Sequence, residues 1–340
     1  MILRIDRLPI DLPRPAAPNA NAASAVQELM GGKFGEMSTL MNYTFQSFNF
    51  RQKKALRPFY DLLCNIAAEE HSHIELVSAT INLLLTGTTK RADRKTATGS
   101  KENAAPLANA LDFRNHYHFI ASGQASLPID SMGNPWTGAN VFSSGNLKLD
   151  LLHNFFLECG ARANKMRVYE MTDDPTARAA VGFLLVRGGV HIVAYAKALE
   201  KLTGVDVGKL LPIPDVSNKK FPEARIHEEK GLHRVLFEFN TGDYKRVGEI
   251  WNGAHPEDGQ ELEVRSEIPE GFEWPDLDGE PQLSSPGVDP DMIAFFAKKM
   301  GGDMPNEEES QKGRARRSTV PVSAPPEAPS KGMARGRRGR

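Results

Sequence analysis

The amino-acid sequence predicts an all-α core, preceded by an extended arm and followed by an irregular, partly β extension. Three features indicate this fold class. Four long segments repeat apolar residues at steps of three and four, the period of an amphipathic helix. Prolines and alternating apolar residues predict an extended arm over the first 20 residues. Beyond residue 204, short proline-punctuated segments replace the helical period.

The helical segments cover residues 22–50, 54–85, 147–169 and 176–202. Asp174 can cap the fourth segment, Pro175 favours its first turn, and Gly204 ends it. Short links join the first to the second segment and the third to the fourth, whereas residues 86–145 form a long crossover. This connectivity is typical of a ferritin-like four-helix bundle.

Composition divides the chain into four parts. They are an N-terminal arm (1–21), the bundle with a dimetal site (22–204), an extension packed on the bundle or on a neighbouring subunit (205–300), and a disordered basic tail (301–340). Residues 311–340 carry nine Lys/Arg against one acid, so residues 1–310 hold 33 basic and 42 acidic side chains. Such a tail is either a solvated, nonessential segment or a contact for nucleic acid or another polyanion. The lack of interleaved aromatic residues favours the solvated segment.

Several protein classes are disfavoured by composition. Two cysteines without a CxxC spacing indicate neither a disulfide framework nor a zinc knuckle. The start, MILRIDRLPIDLPRP, has charges and prolines where a signal peptide has an apolar run. No stretch approaches the roughly 20 uninterrupted apolar residues of a membrane span. We therefore expect a cytoplasmic protein with no membrane partner.

The stretch CNIAAEEHSHIEL at residues 64–76 places ionisable side chains in an apolar helix. One stripe of this helix comprises Leu63, Ile66, Glu70, His73, Val77, Thr80 and Leu84. Glu70 and His73 therefore face the core three residues apart, where they can bind one metal ion. A buried carboxylate is costly unless it is paired or coordinates a metal, and this favours a metal site over a chance Glu-x-x-His.

The other three helices each provide one candidate ligand: Glu36, Glu158 and His191. Glu36 precedes Glu70 by 34 residues, and Glu158 precedes His191 by 33, so both pairs suit facing positions on antiparallel helices. A di-iron site of this architecture normally has a second Glu-x-x-His on the fourth helix, but Gly188 stands at that glutamate position. Oxygen and imidazole ligands suit manganese or iron.

Four long strings carry a family resemblance: GGKFGEMSTLMNYTFQSFNFR, YDLLCNIAAEEHSHIELVSATIN, SGNLKLDLLHNFFLECGARANKMRVYEMT and GFLLVRGGVHIVAYAKALEKLTGV. They strongly resemble the manganese (non-haem, dimanganese) catalases, and the similarity covers roughly residues 1–255. The resemblance implies that Glu36 and His73 hold one manganese ion. Glu158 and His191 would hold a second ion, with Glu70 bridging the two.

The resemblance also implies catalytic side chains beyond the ligands. Lys165 matches a lysine beside the site in one branch of the family. Another branch uses an arginine and a fourth-helix glutamate, but Gly188 aligns this chain with the lysine branch. Tyr43 matches a tyrosine that hydrogen-bonds near the first-helix carboxylate. The predicted catalytic residues are therefore Glu70, Lys165 and Tyr43.

Family members are homohexamers, and some bind calcium at subunit contacts, so the resemblance implies both as expectations. Asp61 and Asn218 match calcium ligands, but Arg57 stands where an aspartate is required, so the match is incomplete.

The predicted function is disproportionation of hydrogen peroxide to water and dioxygen at a dimanganese centre. The paired ions would cycle between +2 and +3 states, with Glu70 handling protons and Lys165 supplying fixed charge. The main alternative is a ferritin-like di-iron peroxidase or an iron oxidase or storage protein. A non-enzymatic coat protein is a further alternative, although buried glutamates without metal would destabilise it.

Overall fold

The computed structural model describes residues 7–16, 18–86, 125–207, 216–239, 244–267, 269–275 and 298–300. Much of the predicted crossover and the whole predicted tail at 301–340 lie outside the described residues. The chain divides into two compact units, residues 1–286 and 287–340, and only residues 298–300 of the second are described. All elements below belong to the first unit.

Six α-helices are present in the described part of this unit. They are α1 (Ala20–Gly31), α2 (Glu36–Phe48), α3 (Arg57–Thr86), α4 (Leu147–Glu170), α5 (Pro175–Thr203) and α6 (Pro222–Glu229). Helix α5 packs along α4, α3 packs against α1 and α2, and α6 lies on α5. The helical core predicted from sequence is therefore confirmed.

The first predicted helix, residues 22–50, is in fact two helices, α1 and α2, because four residues, two of them glycine, separate them. A Cβ atom on Gly31 would lie 2.4 Å from the carbonyl carbon of Ile129, so the chain passes too close there for a side chain. Gly35 has an extended conformation and caps α2. The break makes Glu36 the first residue of α2, where the helix dipole favours a carboxylate.

Helix α5 begins and ends at the residues that the sequence predicted. The Asp174 carboxylate accepts hydrogen bonds from the backbone N–H groups of Thr176 (2.9 Å) and Ala177 (3.3 Å). Gly204 closes the helix at φ +73°, a left-handed conformation that favours glycine. The helix is long and apolar enough to cross a membrane, but 89% of its apolar window is buried inside the protein. Its apolarity is explained by its place at the centre of the core.

Short strands pair the N-terminal arm with the extension and pair two segments of the extension with each other. Strand β1 (Arg7–Leu8) pairs antiparallel with β4 (Phe272–Glu273), and β2 (Val235–Phe237) pairs in parallel with β3 (Glu263–Arg265). The extension also contains a 3-10 turn at Val247–Glu249. The helix of the extension is α6, which the sequence reading missed although Pro222 occupies its first position.

Two apolar clusters fill the core. One surrounds the ends of α3 and α5 near Leu84 and Leu184, and the other surrounds Leu63 and Tyr195. The charged middle of α3, between Ile66 and Leu76, lies between these clusters.

Candidate metal centre

The five predicted ligands converge at the middle of the core. Glu36 lies on α2, Glu70 and His73 on α3, Glu158 on α4 and His191 on α5. Each of the five side chains is 0% exposed. The stripe predicted on α3 is buried along its whole length, because it faces α5 and α2.

The two histidines both point Nδ1 at the carboxylate of Glu70. Nδ1 of His73 lies 3.1 Å from Glu70 Oε2 and 3.6 Å from Glu36 Oε2. Nδ1 of His191 lies 2.7 Å from Glu70 Oε1 and 3.3 Å from Glu158 Oε1. The rings stack with centroids 5.5 Å apart. Ligand atoms of Glu70, His73 and His191 all lie within 4.8 Å of one another, as a shared metal site requires.

Several potential metal-ligating atoms in this centre lack a hydrogen-bond partner. Among the described residues, Glu70 Oε1, Glu158 Oε2 and His191 Nδ1 are buried and lack a hydrogen-bond partner. Buried polar atoms are rarely left in this state, since each costs roughly 1–3 kcal/mol. Because these atoms face one another, a bound cation satisfies all three. The residues present therefore fit a manganese centre of carboxylate and imidazole ligands.

Charge leads to the same conclusion. Among the described residues, two buried side chains with a fixed positive charge form ion pairs with the carboxylates of the centre: Lys165 with Glu36 and Arg187 with Glu69. The carboxylates of Glu70 and Glu158 are buried as well. Burial by itself lowers the pKa of His73, but the carboxylates of Glu70 and Glu36 raise it to about 9. The pKa of His191 is likewise raised by Glu69, Glu70 and Glu158, against the effect of burial. The centre therefore attracts positive charge, which protons supply when no metal is bound.

Lys165 fills the space beside Gly188. Its Nζ lies 2.9 Å from Glu36 Oε1, and the side chain is 1% exposed. A Cβ atom on Gly188 would lie 3.4 Å from that Nζ and 4.0 Å from Glu158 Oε2. A longer side chain at position 188 would therefore displace the lysine. Burial lowers the pKa of Lys165, but Glu36 and Glu158 raise it above its usual value, so the amine keeps its charge.

Tyr43 hydrogen-bonds to a carboxylate of the centre. Its hydroxyl donates to Oε1 of Glu158 at 2.7 Å, whereas the resemblance implied only a hydrogen bond near the first-helix carboxylate. Tyr43 lies two helical turns beyond Glu36, about 10 Å along α2, so its ring reaches α4 instead. The ring also packs on Tyr195, with centroids 5.2 Å apart.

Glu69 and Arg187 belong to this centre, and sequence reasoning missed both. The two side chains form a bidentate ion pair at the backs of the histidine rings. Glu69 lies outside the predicted buried stripe of α3, yet it is only 3% exposed. The available clue was Arg187, a charged residue inside the apolar run FLLVRGGVHIV. A cation in such a run needs a buried anion as its partner.

The predicted calcium ligands already have protein partners. Asp61 Oδ1 lies 2.5 Å from Arg57 Nε, and Oδ2 accepts from the backbone N–H of Arg246. Asn218 Oδ1 accepts from Arg162 Nη2 at 3.0 Å. The guanidinium of Arg57 thus supplies the positive charge beside Asp61.

A second group of residues with side chains that can bind metal comprises His233, His255 and Asp258. We name this group the extension cluster. His233 Nε2 lies 2.8 Å from Asp258 Oδ2, and Asp258 Oδ1 accepts from the backbone N–H of Gln260 at 3.0 Å. Arg234 Nε also approaches the same carboxylate, at 3.8 Å. Both oxygens of Asp258 are therefore already satisfied, and a cation is close to them.

A helical core with a buried centre of carboxylates and imidazoles defines a metal-binding protein consistent with the ferritin-like fold. The chain belongs to the manganese-containing catalases, because the family model "Manganese containing catalase" matches residues 1–302. It is therefore an enzyme that uses manganese and acts on hydrogen peroxide. This membership does not favour the alternative of iron oxidation or storage.

Several individual proteins are similar to this chain. The uncharacterized protein YjqC of Bacillus subtilis (strain 168) is 33% identical over 240 residues, or 71% of this chain and 81% of the relative. A manganese catalase of Bacillus subtilis is 30% identical over 264 residues, or 78% of this chain and 90% of the relative. The crystal structure of KatB, a manganese catalase from Anabaena PCC7120, matches with a TM-score of 0.47 and 26% identity, covering 59% of this chain and 81% of that one.

Proposed function

We propose that the protein disproportionates hydrogen peroxide at two manganese ions held by five side chains. These are Glu36 and His73 for one ion, Glu158 and His191 for the other, and Glu70 between them. The observation that supports this proposal best is the position of Glu70. Its Oε1 faces Nδ1 of His191 at 2.7 Å and its Oε2 faces Nδ1 of His73 at 3.1 Å, so each carboxylate oxygen points towards one half of the site.

A manganese pair supplies two-electron redox chemistry between paired +2 and paired +3 states, and it acidifies bound peroxide. The protein's own groups hold and move the protons. Thr39 Oγ1 donates to Glu70 Oε2 at 2.9 Å, which keeps that carboxylate in place while it takes up or releases a proton. Lys165 supplies fixed positive charge beside Glu36, and Tyr43 holds Glu158 through its hydroxyl.

The surroundings of the centre favour a small substrate. Leu151, Phe155 and Val77 are at most 1% exposed and lie on the helices that carry the ligands. Such packing excludes bulky reductants, so a second peroxide is the electron donor. This selectivity distinguishes a catalase from a general peroxidase.

The test is oxygen evolution from hydrogen peroxide by protein loaded separately with manganese and with iron. We expect one O₂ per two peroxides with manganese and without any added reductant. If manganese gives no oxygen, while iron consumes peroxide only with a reductant present, the proposal is wrong and a di-iron peroxidase replaces it. Manganese content per subunit, measured on the same samples, gives the number of ions bound.

We further propose that the chain forms a homohexamer in the cytoplasm. Two neighbouring helices expose apolar side chains on their outer faces: Phe45 and Phe48 on α2, and Leu149, Leu152 and Phe156 on α4. Phe48 is 69% exposed and Phe156 52% exposed in the single chain, and a second copy of the chain can cover such faces. Light scattering after gel filtration should give a hexamer for the wild type and smaller species for Phe48→Glu with Phe156→Glu. A monomeric wild type would contradict this proposal.

A further inference from the structure

Arg187 connects the metal centre to the C-terminal extension. Its guanidinium is 1% exposed and makes a bidentate contact with Glu69. On its other side, Nη1 donates to the carbonyl oxygens of Leu232 (2.6 Å) and Val235 (2.8 Å). The ring of Phe237 packs near the guanidinium, 5.4 Å from its central carbon. We name residues 232–237 the docking segment.

Glu69 in turn contacts the outer nitrogen of His191. Its Oε2 lies 3.1 Å from Nε2 of His191, within hydrogen-bond distance, whereas its Oε1 lies 3.8 Å from Nε2 of His73, too far for a hydrogen bond. A neutral imidazole has a single N–H group, so a carboxylate that accepts from Nε2 keeps the proton there. The lone pair of Nδ1 of His191 is then free to bind a metal, and that ring is held in its orientation.

We propose that Arg187 is a positioning residue that makes metal retention depend on docking of the extension. The docking segment holds Arg187, Arg187 holds Glu69, and Glu69 orients His191. This inference rests on the proposed function only in taking His191 as a ligand. Its consequence is reciprocal: a bound metal stabilises the docking segment, and a loosened docking segment weakens metal binding.

An arginine is required at this position for a geometric reason. Its planar guanidinium group carries five N–H bonds, so it can donate to Glu69 on one side and to two backbone carbonyls on the other. A lysine keeps the charge but cannot reach both partners. Without either cation, Glu69 is a buried carboxylate with no compensating charge.

Arg162 gives a matched control, because it too is a 1% exposed arginine that holds the extension. It donates to the carbonyls of Leu185 (3.2 Å) and Ser217 (2.9 Å) and to the side chain of Asn218. None of these partners is a predicted manganese ligand or Glu69. Arg162→Lys therefore disturbs the extension as Arg187→Lys does, but leaves the histidines alone.

The experiment measures manganese loss to a chelator for the wild type, Arg187→Lys, Glu69→Gln and Arg162→Lys. We expect about 10–100-fold faster manganese loss in Arg187→Lys and in Glu69→Gln, as for other residues that orient metal ligands. Arg162→Lys should lose manganese at the wild-type rate. A variant that combines Arg187→Lys with Glu69→Gln should lose manganese no faster than the faster of the two single variants, since both residues act in one chain of contacts. Wild-type loss rates in Arg187→Lys and Glu69→Gln would overturn the inference even if oxygen evolution is normal.

Hydrogen exchange read by mass spectrometry is the second measurement, and it includes metal-free protein. Manganese should slow amide exchange in residues 232–237 of the wild type and of Arg162→Lys, but not of Arg187→Lys. In metal-free protein, Glu69→Gln should speed exchange in the docking segment, because Arg187 loses its anchor. Unchanged exchange there would overturn the inference without any reference to catalysis. Failure of the wild type to evolve oxygen, by contrast, would count against the proposed function alone.

Discussion

The metal centre and the extension cluster contain the same residue types in opposite electrostatic settings. In the metal centre, all the predicted ligands are fully buried, and donor atoms of Glu70, Glu158 and His191 have no hydrogen-bond partner in the described structure. In the extension cluster, both oxygens of Asp258 are hydrogen-bonded and Arg234 lies close to them. Residue type alone therefore does not make a metal site.

The histidine pKa values express this difference. Burial and the neighbouring His233 lower the pKa of His255 to about 4, whereas carboxylates raise that of His73 to about 9 despite its burial. An environment that stabilises a proton on an imidazole also stabilises a metal cation beside it. The comparison shows that uncompensated carboxylate charge, and not the presence of histidines, marks the site that binds manganese.

The largest effect is expected from Glu70→Gln. The change removes the charge of the residue between the two halves of the site, and an amide offers only one oxygen. We expect peroxide turnover to fall at least about 1000-fold, with reduced manganese content, because metal binding and proton transfer both depend on this carboxylate. Oxygen evolution and metal analysis on one sample test this. Full activity in Glu70→Gln would contradict the assignment of the centre.

A smaller loss is expected from Lys165→Met. The variant leaves Glu36 without its 2.9 Å partner, so we expect turnover to fall about 10–100-fold. Lys148→Met is the control, because Lys148 is an exposed residue of the same helix. An equal loss in both variants would show that the buried ammonium has no special role.

Tyr43→Phe should have a milder effect. It removes the hydroxyl that donates to Glu158 at 2.7 Å but keeps the ring packed on Tyr195. We expect about a tenfold loss of turnover, in line with a hydrogen bond to a charged group. Tyr60→Phe, at a half-buried tyrosine that contacts Lys53, serves as the control. Wild-type turnover in Tyr43→Phe would remove Tyr43 from the catalytic group.

The extension cluster should affect stability in acid. A histidine whose folded pKa is depressed to about 4 takes up a proton more readily when the chain unfolds. The unfolded state therefore binds more protons between pH 6.5 and 4, and stability is lost as the pH falls through that window. The melting temperature of His255→Asn should fall less than that of the wild type between pH 7 and pH 4.5. Parallel melting curves would show that His255 is not the group concerned.

The smallest effect on manganese content and turnover is expected from changes in the extension cluster, and it tests the comparison with the metal centre. His233→Asn and His255→Asn should leave the manganese content per subunit and the turnover unchanged, because both oxygens of Asp258 are already hydrogen-bonded and Arg234 lies close to them. Metal analysis after loading at neutral pH tests this. A fall in manganese content in either variant would mean that the extension cluster binds metal as well.

Much of the fold could be predicted from sequence because apolar period and capping act locally. Asp174 and Gly204 predicted the ends of α5, and the stripe from Leu63 to Leu84 predicted the buried face of α3. The division of the first helix was missed because Gly31 is required by the close approach of Ile129, which is distant in sequence. Helix α6 was missed because its residues are mostly polar and it has only one buried side chain, Ala224.

The sequence by itself determined the helical core, the five candidate ligands and their arrangement in facing pairs. The spacing of residues along a helix and the cost of burying a charged side chain both act within a single helix. They can therefore be inferred from the sequence alone. Only the tertiary structure decided that Tyr43 bonds to Glu158 and that Glu69 lies behind both histidines. It alone connected Arg187 to residues 232 and 235. Apart from the approach of Glu69 to His73, four residues away on the same helix, these contacts join residues 45 to 122 positions apart. Their partners are chosen by how helices pack and by which buried charges remain to be balanced.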